Sequence, residues 1–299
     1  MITVFGSINM DLIATTQRLP KPGETVAGNG FSTAAGGKGA NQALAARRAG
    51  CTVHMAGAVG HDGFADEALA LLKDAGTDLE AVKRADQPTG TAVILVGGDG
   101  ENMIAVVPGA NGTVTAEDAD KAVGAMTKGD TLMLQLEVPA PAVERALATA
   151  RAKGVTTILN LAPLIDDAAR LGRLADIVIA NETEFERLAG QENMSPDDRE
   201  AALKRLNAET GQTLIVTLGG DGVVAIRDGV LSRAKGLKIE PVDTVGAGDT
   251  FCGYFAASLD EGLDFEPALR RAAVAGSLAC LKQGAQPSIP SRDDVANKL

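Results

Sequence analysis

The sequence contains no tryptophan, one tyrosine and seven phenylalanines in 299 residues. Its two histidines and three cysteines are scattered, without the spacing that a zinc site or a disulfide framework requires. Cys51, Cys252 and Cys280 are therefore expected to be reduced thiols, mostly buried. No Ser-His-Asp set is recognisable, which disfavours hydrolase chemistry of that kind.

Basic clusters and long apolar runs are also missing. Lysine and arginine total 28 against 39 acidic residues, for a formal net charge of −11. This balance argues against a nucleic-acid-binding surface, and no apolar run reaches the length of a membrane span. The run from Met1 to Gly6 resembles a strand and not a signal peptide. We therefore expect a cytoplasmic protein that binds neither nucleic acid nor membrane.

The residues that are abundant suit a compact α/β protein. Hydrophobic residues make up 45% of the chain, with 35 glycines, and short apolar runs alternate with helical patterns. This order predicts a mostly parallel sheet covered on both faces, as one domain over residues 1–299. Strands are predicted at Ile2–Ser7, Thr52–Val59, Thr131–Leu136, Thr156–Leu161, Ile177–Ala180, Thr213–Thr217 and Val223–Arg227, and helices at Lys38–Arg48, Phe64–Asp74, Ala116–Met126, Pro139–Ala152, Glu182–Leu188, Asp197–Glu209, Thr250–Leu259 and Pro267–Leu281.

Two segments interrupt this alternation. Met10–Thr33 indicates two short β stretches around a Pro-Lys-Pro-Gly turn, and Thr91–Gly97 pairs with Met103–Val107 around a second turn. Together, at about residues 10–35 and 90–109, they predict a small β-sheet that acts as a lid or as a dimer surface. Ligands in open α/β sheets bind at the strand C-terminal ends, within reach of such insertions, which favours the lid over ordinary surface hairpins.

The segment Asp243–Phe251 is the most informative of the chain. Two carboxylates bracket the turn Gly246-Ala247-Gly248, and an amphipathic run follows. Backbone N–H groups of such a turn, at a helix N-terminus, can bind an anion. Asp249 beside that anion could act as a base that activates a hydroxyl next to a phosphate, which is a kinase arrangement. The alternative is a simple helix cap.

Gly36 to Gln42 opens the first long helical pattern. It lacks the spacing of a Walker A loop, because Lys38 is followed by Gly39 instead of Ser or Thr, and it lacks the G-x-G-x-x-G spacing. Lys38 and Asn41 could bind polyol hydroxyls or a phosphate oxygen. A glycine-rich helix entry without further function is the alternative.

Polar side chains follow two of the predicted strands. Asn9 and Asp11 lie two residues apart, hence on one face, and can accept hydrogen bonds from sugar hydroxyls. Asn181 and Glu184 lie on one side of a first helical turn and could hold a hydrated Mg²⁺ near phosphates. The alternatives are turn formation for the first pair and a helix N-terminus for the second.

Ser7–Asp11, Gly36–Asn41, Asn181–Glu184 and Asp243–Phe251 together resemble the ribokinase-like, or PfkB, family of carbohydrate kinases. The resemblance extends to Gly284–Ser288, and so covers essentially the whole chain. It implies a ribokinase-like three-layer α/β/α core with a β lid, a homodimer through the lids, and ATP-dependent phosphorylation of D-ribose at the 5-hydroxyl. The alternatives are a kinase of this family for deoxyribose, a hexose or a purine nucleoside, and a sugar-binding protein without catalysis.

The resemblance also implies a role for each matching residue. Asp249 would be the catalytic base, and Gly246, Ala247 and Gly248 would form the anion hole. Mg²⁺ would accompany ATP, with Glu184 binding it through water, and K⁺ would activate the enzyme. The implied sugar-binding residues are Asn9, Asp11, Gly37, Lys38, Asn41, Glu137 and Asp249; the nucleotide-binding residues are Asn181, Thr217, Gly219 and Gly248; and the K⁺ ligands, mostly backbone carbonyls, are Asp243, Val245, Ala279, Lys282, Gly284 and Ser288.

Overall fold

The computed structural model describes residues 1–299, with strands and helices alternating over most of the chain. The strands are β1 (Ile2–Phe5), β2 (Asn9–Thr16), β3 (Gly28–Gly36), β4 (Val53–Val59), β5 (Asp78–Arg84), β6 (Gly90–Val96), β7 (Asn102–Val107), β8 (Thr131–Leu134), β9 (Thr156–Asn160), β10 (Ile177–Asn181), β11 (Thr213–Thr217), β12 (Val223–Arg227) and β13 (Val230–Ala234). The helices are α1 (Lys38–Arg48), α2 (Gly63–Asp74), α3 (Ala116–Gly124), α4 (Ala140–Lys153), α5 (Ala168–Gly172), α6 (Glu182–Ala189), α7 (Pro196–Thr210), α8 (Ala247–Asp260), α9 (Phe265–Ala279), α10 (Ala285–Ser288) and α11 (Arg292–Ala296).

Nine strands form one sheet in the order β13-β12-β11-β10-β9-β8-β1-β4-β5. All neighbouring pairs from β5 to β11 are parallel, and only β12 runs antiparallel to its neighbours. The predicted mostly parallel sheet is therefore confirmed. The sequence did not indicate β5, because this edge strand has no fully buried residue and its apolar side chains are interrupted by charges.

Side chains of the large sheet alternate between two apolar clusters, one on each face. In β10, Ile177 and Ile179 contribute to the first cluster, whereas Val178 and Ala180 contribute to the second. Helices α1, α2, α8, α9 and α11 supply most of the other residues of the first cluster, and α3 to α7 supply most of those of the second. Each fully buried aliphatic side chain stabilises this arrangement by about 1.5–3 kcal/mol. The predicted three-layer α/β/α core is confirmed.

A separate four-stranded sheet has the order β3-β2-β6-β7. Its central pair β2-β6 is parallel and its two outer pairs are antiparallel. The strands match the two predicted insertions, and β2 begins only four residues after the end of β1. The small sheet is thus attached to the large one at the C-terminal end of a central strand. No helix in the structure has both the length and the apolar character needed to cross a membrane.

Candidate active site

The carboxyl ends of the parallel strands bring the predicted polar residues to one edge of the large sheet, as the geometry of open α/β sheets requires. The helices α1 and α8 also begin at this edge. The strand-end residues assembled there are Ser7 and Asn9 after β1, Gln135 and Glu137 after β8, Asn160 at the end of β9, Asn181 at the end of β10 and Thr217 at the end of β11.

Glycines bring the start of α1 onto the connection between β1 and β2. A Cβ atom on Gly37, whose φ is +88°, would lie 2.7 Å from the Asn9 nitrogen, and one on Gly39 would lie 2.6 Å from the Ser7 nitrogen. Glu137 Oε2 accepts hydrogen bonds from the Lys38 N–H at 3.0 Å and from the Ser7 hydroxyl at 2.5 Å. Glu137 thereby places a carboxylate at the positive end of the α1 dipole.

Asp249 is buried in the first turn of α8, and both of its carboxylate oxygens accept hydrogen bonds. Asn41 Nδ2 donates to Oδ2 at 2.9 Å, and Gln42 Nε2 donates to Oδ1 at 3.0 Å. Lys38 lies close by: attraction to Asp249, ahead of smaller effects, raises the pKa of its ammonium group. The predicted start of this helix at Thr250 is wrong by one turn, because Gly246 (φ +76°) takes the N-cap position and the helix begins at the next residue.

Asn9 and Asp11 are the first and third residues of strand β2. Burial, and to a lesser extent the neighbouring Glu137 and Asp249, raises the pKa of Asp11 to about 7. Asn9 Oδ1 accepts a hydrogen bond from Asn111 Nδ2 at 2.7 Å. The Asn9 amide nitrogen is therefore the group left to donate to a ligand. All seven residues implied in sugar binding lie at this edge of the sheet.

Asn111 is a site residue that the sequence did not indicate. It lies on a 3-10 turn, Gly109–Thr113, that follows β7. Its Oδ1 accepts from the Ile8 N–H at 2.9 Å, and its Nδ2 donates to the Ile8 carbonyl at 3.0 Å as well as to Asn9. Because a backbone N–H can only donate, the orientation of both side-chain amides is fixed.

A cavity of about 400 Å³ lies on the other side of α8. Three residues implied in nucleotide binding, Thr217, Gly219 and Gly248, line it, whereas the fourth, Asn181, does not. The loop after β13 also lines it, with Leu237, Lys238 and Ile239, as do Ala247, Phe251, Ala273, Gly276, Ser277 and Cys280. The sequence of that loop has no strand or helix pattern, so Leu237, Lys238 and Ile239 were missed. A larger cavity of about 610 Å³, beside Asp62 and Thr89, contains none of the predicted residues.

The start of α8 faces the 400 Å³ cavity with unpaired backbone donors. The N–H groups of Gly248 and Asp249 donate to no protein acceptor, and no side chain caps the helix. A Cβ atom on Gly248 would meet no heavy atom within 4 Å, so this glycine leaves open space beside those donors. Free N–H groups and the helix dipole at this point favour an anionic group of a ligand.

Asn181 and Glu184 form a reciprocal capping box at the start of α6. Asn181 Oδ1 accepts the Glu184 N–H at 2.9 Å, and Glu184 Oε2 accepts the Asn181 N–H at 2.8 Å. Burial raises the pKa of Glu184. The pair therefore caps the N-terminus of α6. The other carboxylate oxygen of Glu184, Oε1, makes no hydrogen bond to protein. No group of three or more His, Cys, Asp or Glu residues is arranged to hold a metal ion.

Asp243 joins the loop before α8 to the loop before α10. Its Oδ1 accepts the Val245 N–H at 3.0 Å, and its Oδ2 accepts the Gly284 N–H at 2.9 Å. A Cβ atom on Gly246 would lie 2.9 Å from Ala285 Cα, so the two loops are in close contact. Of the other residues implied as K⁺ ligands, Val245, Lys282 and Gly284 lie on the same two loops, whereas Ala279 ends α9 and Ser288 ends α10. The carbonyl oxygens of Val245, Ala279, Lys282 and Gly284 accept no hydrogen bond, and the Ser288 hydroxyl donates to the Ala285 carbonyl.

Known proteins resemble this chain over its whole length. A family model described as pfkB family carbohydrate kinase matches residues 1–292. The ribokinase of Haemophilus influenzae is 36% identical over 299 residues, which span 100% of this chain and 98% of the relative. The deoxyribokinase of Salmonella typhi is 34% identical over 292 residues, spanning 97% and 95%. The structure of Arabidopsis thaliana ribokinase complexed with ribose and ATP has a TM-score of 0.87 and 32% identity, covering 99% of this chain and 97% of that one.

Proposed function

This chain belongs to the pfkB family of carbohydrate kinases, and from that membership we propose that it transfers the γ-phosphoryl group of ATP to the 5-hydroxyl of D-ribose. The products are D-ribose 5-phosphate and ADP. One observation carries the proposal: Asp249, held through both oxygens, lies in the first turn of α8, beside the side chains proposed to bind the sugar and beside free backbone donors that face a cavity of about 400 Å³.

The sugar would be held on the lid side of Asp249. Asn9 offers an N–H donor, and Asp11 and Glu137 offer carboxyl oxygens to hydroxyl groups. Asn41 Oδ1 is buried without a hydrogen-bond partner, and an acceptor of this kind suits a ligand that brings a hydroxyl. Lys38 lies beside both Asp249 and Glu137, where its charge offsets the acidic cluster and can interact with the incoming phosphate.

The chemical step would take place at the start of α8. Asp249 accepts the proton of the 5-hydroxyl as that oxygen attacks the γ-phosphorus, and ADP departs on the opposite side. The backbone N–H groups of Gly248 and Asp249 donate to the charge that spreads over the transferring phosphoryl oxygens. Because these donors are already oriented, they need no rearrangement during the reaction.

Two cations fit the proposal. Mg²⁺ would neutralise phosphate charge, and the free Oε1 of Glu184 suits water-mediated contact with it, although Glu184 also caps α6. K⁺ suits Asp243 and the residues implied with it, because four of their backbone carbonyl oxygens accept no hydrogen bond. An ion bound there would link the loop of Gly246 to that of Ala285 and so stabilise the anion hole without touching the sugar.

The small sheet would serve as a lid and as the contact of a homodimer. Asn9 and Asp11 lie at the start of β2, so a bound sugar contacts the lid where it joins the core and can favour closure, which excludes water. Large apolar side chains on its outer strands are more than half exposed, including Phe31 at 70% and Met103 at 53%. Exposed apolar patches of this kind mark interaction surfaces.

Sedimentation velocity tests the dimer. Met103 pairs with Leu95 and faces away from Asp11, so Met103→Asp should produce monomers without changing the sugar site. Val230→Asp, at a residue that is 63% exposed on the large sheet, is the matched control and should not change the sedimentation coefficient. A wild-type protein that sediments as a monomer at all concentrations contradicts the proposed assembly.

The acceptor could instead be deoxyribose, a hexose or a purine nucleoside. A nucleoside needs an aromatic or apolar surface for its base, and Phe31 is the only aromatic side chain of the small sheet. Its pairing with Ala14 puts it on the face away from Asp11. The face that Asp11 shares carries Ile13, Ala92 and Ile94 but no aromatic ring on which a base could stack, and this lack favours a free sugar. Deoxyribose would leave one hydrogen-bonding group of the site unpaired.

A coupled assay of ADP release tests the function directly. D-ribose should give the highest kcat/KM in a panel that includes 2-deoxyribose, hexoses and purine nucleosides, with and without K⁺. Asp249→Asn should lower kcat by about 10²- to 10⁴-fold and leave nucleotide binding intact. Asp260→Asn, at the other end of α8, is the matched control and should keep wild-type kcat. Failure of every sugar to stimulate ADP release would support the remaining alternative, a sugar-binding protein without catalysis.

A further inference from the structure

Three buried side-chain amides lie directly beneath Asp249. Gln42 is fully buried, and its Nε2 donates to Asp249 Oδ1 at 3.0 Å and to Asn160 Oδ1 at 3.2 Å. Gln135, also fully buried, donates from Nε2 to Gln42 Oε1 at 2.7 Å. Asn160 donates from Nδ2 to the carbonyl of Ile179 at 3.2 Å. The amides thus connect the carboxylate of Asp249 to the backbone of β10.

The acceptors at the two ends of this series of amides, the Ile179 carbonyl and the Asp249 carboxylate, determine the direction of every hydrogen bond between them. The Ile179 carbonyl can only accept, so Asn160 turns its nitrogen toward β10 and its oxygen toward Gln42. The ionised carboxylate of Asp249 also accepts, so the nitrogen of Gln42 faces both acceptors, and its oxygen is left for Gln135. A flip of Gln42 would place oxygen against oxygen at two contacts and nitrogen against nitrogen at a third.

The carboxylate of Asp249 is held from two directions. Asn41 reaches Oδ2, and Gln42 reaches Oδ1. Rotation about the Cβ–Cγ bond would break at least one of these hydrogen bonds. Gly253 allows α8 to pack closely on α1, which brings Asp249 within reach of both amides. A Cβ atom at residue 253 would lie 2.6 Å from the Gln42 carbonyl oxygen and would force the two helices apart.

We propose that Gln42 is a positioning residue for phosphoryl transfer, which fixes the angle of the Asp249 carboxylate while Gln135 and Asn160 hold Gln42 in place. The inference rests on the proposed role of Asp249 as the base. Gln42 is completely shielded from solvent, so a sugar or nucleotide that binds from solvent would not contact it. Its loss should therefore affect the chemical step and not the binding of either substrate.

The magnitude follows from the sensitivity of such reactions to geometry. A displacement of about 1 Å in a reacting group can lower the rate by about 100-fold. Gln42→Met keeps the length of the side chain and removes its N–H donors. We expect this variant to lower kcat by about 10- to 100-fold, with KM for the sugar and for ATP within about threefold of wild type.

Gln212→Met is the matched control. Gln212 is also buried, and its Nε2 donates to the carbonyls of Gly172 and Ala175, away from the strand ends that form the site. Both variants leave buried polar groups without partners, so both should lower the melting temperature. Only Gln42→Met should lower kcat. Gly6→Ala perturbs the same amides from further away, since its Cβ would lie 1.9 Å from Gln135 Oε1, and it should give a smaller fall in kcat with unchanged KM.

The outcomes separate this inference from the proposed function, because the wild-type enzyme is assayed in parallel with the sugar it prefers. A folded Gln42→Met variant with kcat within about threefold of wild type overturns the inference alone. The inference is also overturned if the dissociation constant of Gln42→Met for the sugar, measured by calorimetry, rises by the same factor as kcat/KM falls. Gln42 would then act on sugar binding and not on the chemical step. If Gln42→Met does not fold, Gln135→Met takes its place with the same expectation. A wild-type protein that phosphorylates no sugar refutes the proposed function and, with it, the role of Gln42.

Discussion

Replacing Gly248 by alanine should lower turnover without lowering stability. The new Cβ would meet no heavy atom within 4 Å, and the residue lies in the first turn of α8. Alanine is favoured over glycine in a helix by up to about 1 kcal/mol, so the free energy of unfolding should be unchanged or slightly higher. The same methyl group occupies the open space beside the free N–H groups, where the transferring phosphate is proposed to lie. A phosphate held about 1 Å further away should lower kcat by about 10- to 100-fold.

Steady-state kinetics and thermal unfolding measure the two effects. Gly124→Ala is the matched control, because this glycine ends α3 and its Cβ would also meet nothing within 4 Å. It should keep wild-type kcat. Gly246→Ala is the contrasting variant: its φ of +76° and its 2.9 Å approach to Ala285 Cα should lower stability by at least about 1–2 kcal/mol as well as kcat. Wild-type kcat in Gly248→Ala would refute the anion-hole assignment.

Three further predictions concern the surroundings of this turn. Because burial, ahead of two neighbouring carboxylates, raises the pKa of Asp11 from 3.8 to about 7, its contribution to stability is complete at low pH and is lost as the pH rises to about 7. In Asp11→Asn the free energy of unfolding, measured by urea denaturation, should depend less on pH over this range. An equal fall in both proteins contradicts the assignment. Asn111→Leu should lower stability by about 1–3 kcal/mol and raise the KM of the sugar more than that of ATP, measured by denaturation and steady-state kinetics. Asp243→Ala should abolish the stimulation of turnover by K⁺, and a variant still stimulated as strongly as wild type argues against a cation at this loop.

The sequence predicted those elements whose apolar residues are contiguous or periodic. Strands Thr213–Thr217 and Val223–Arg227 and the helix Lys38–Arg48 have the predicted bounds, because turn residues or glycines limit each run. The edge strand β5 was missed because it buries little, and α8 begins earlier than predicted because a left-handed glycine can serve as N-cap. Local patterns cannot indicate either feature.

The candidate site was predictable to the extent that its residues form short motifs. Asp249 and the glycines before it follow one another in the chain and could be identified together. Gln42, in contrast, lies 207 residues from Asp249 and 93 from Gln135, and Asn111 lies 102 residues from Asn9. Their roles depend on hydrogen bonds between distant segments, and such contacts leave no trace in the spacing of one sequence.

The exposed strand β7 has a consequence for how newly synthesised chains behave. It forms one edge of the small sheet, all six of its residues are exposed, and none carries a charge. Such a strand presents unpaired N–H and C=O groups and apolar side chains to any similar segment, which is the pattern of aggregation-prone sequences. Glu101 and Pro108 flank it, at the positions where a charge and a proline limit the growth of aggregates. The edge proposed to contact a second copy is thus also a segment open to uncontrolled pairing in newly synthesised chains.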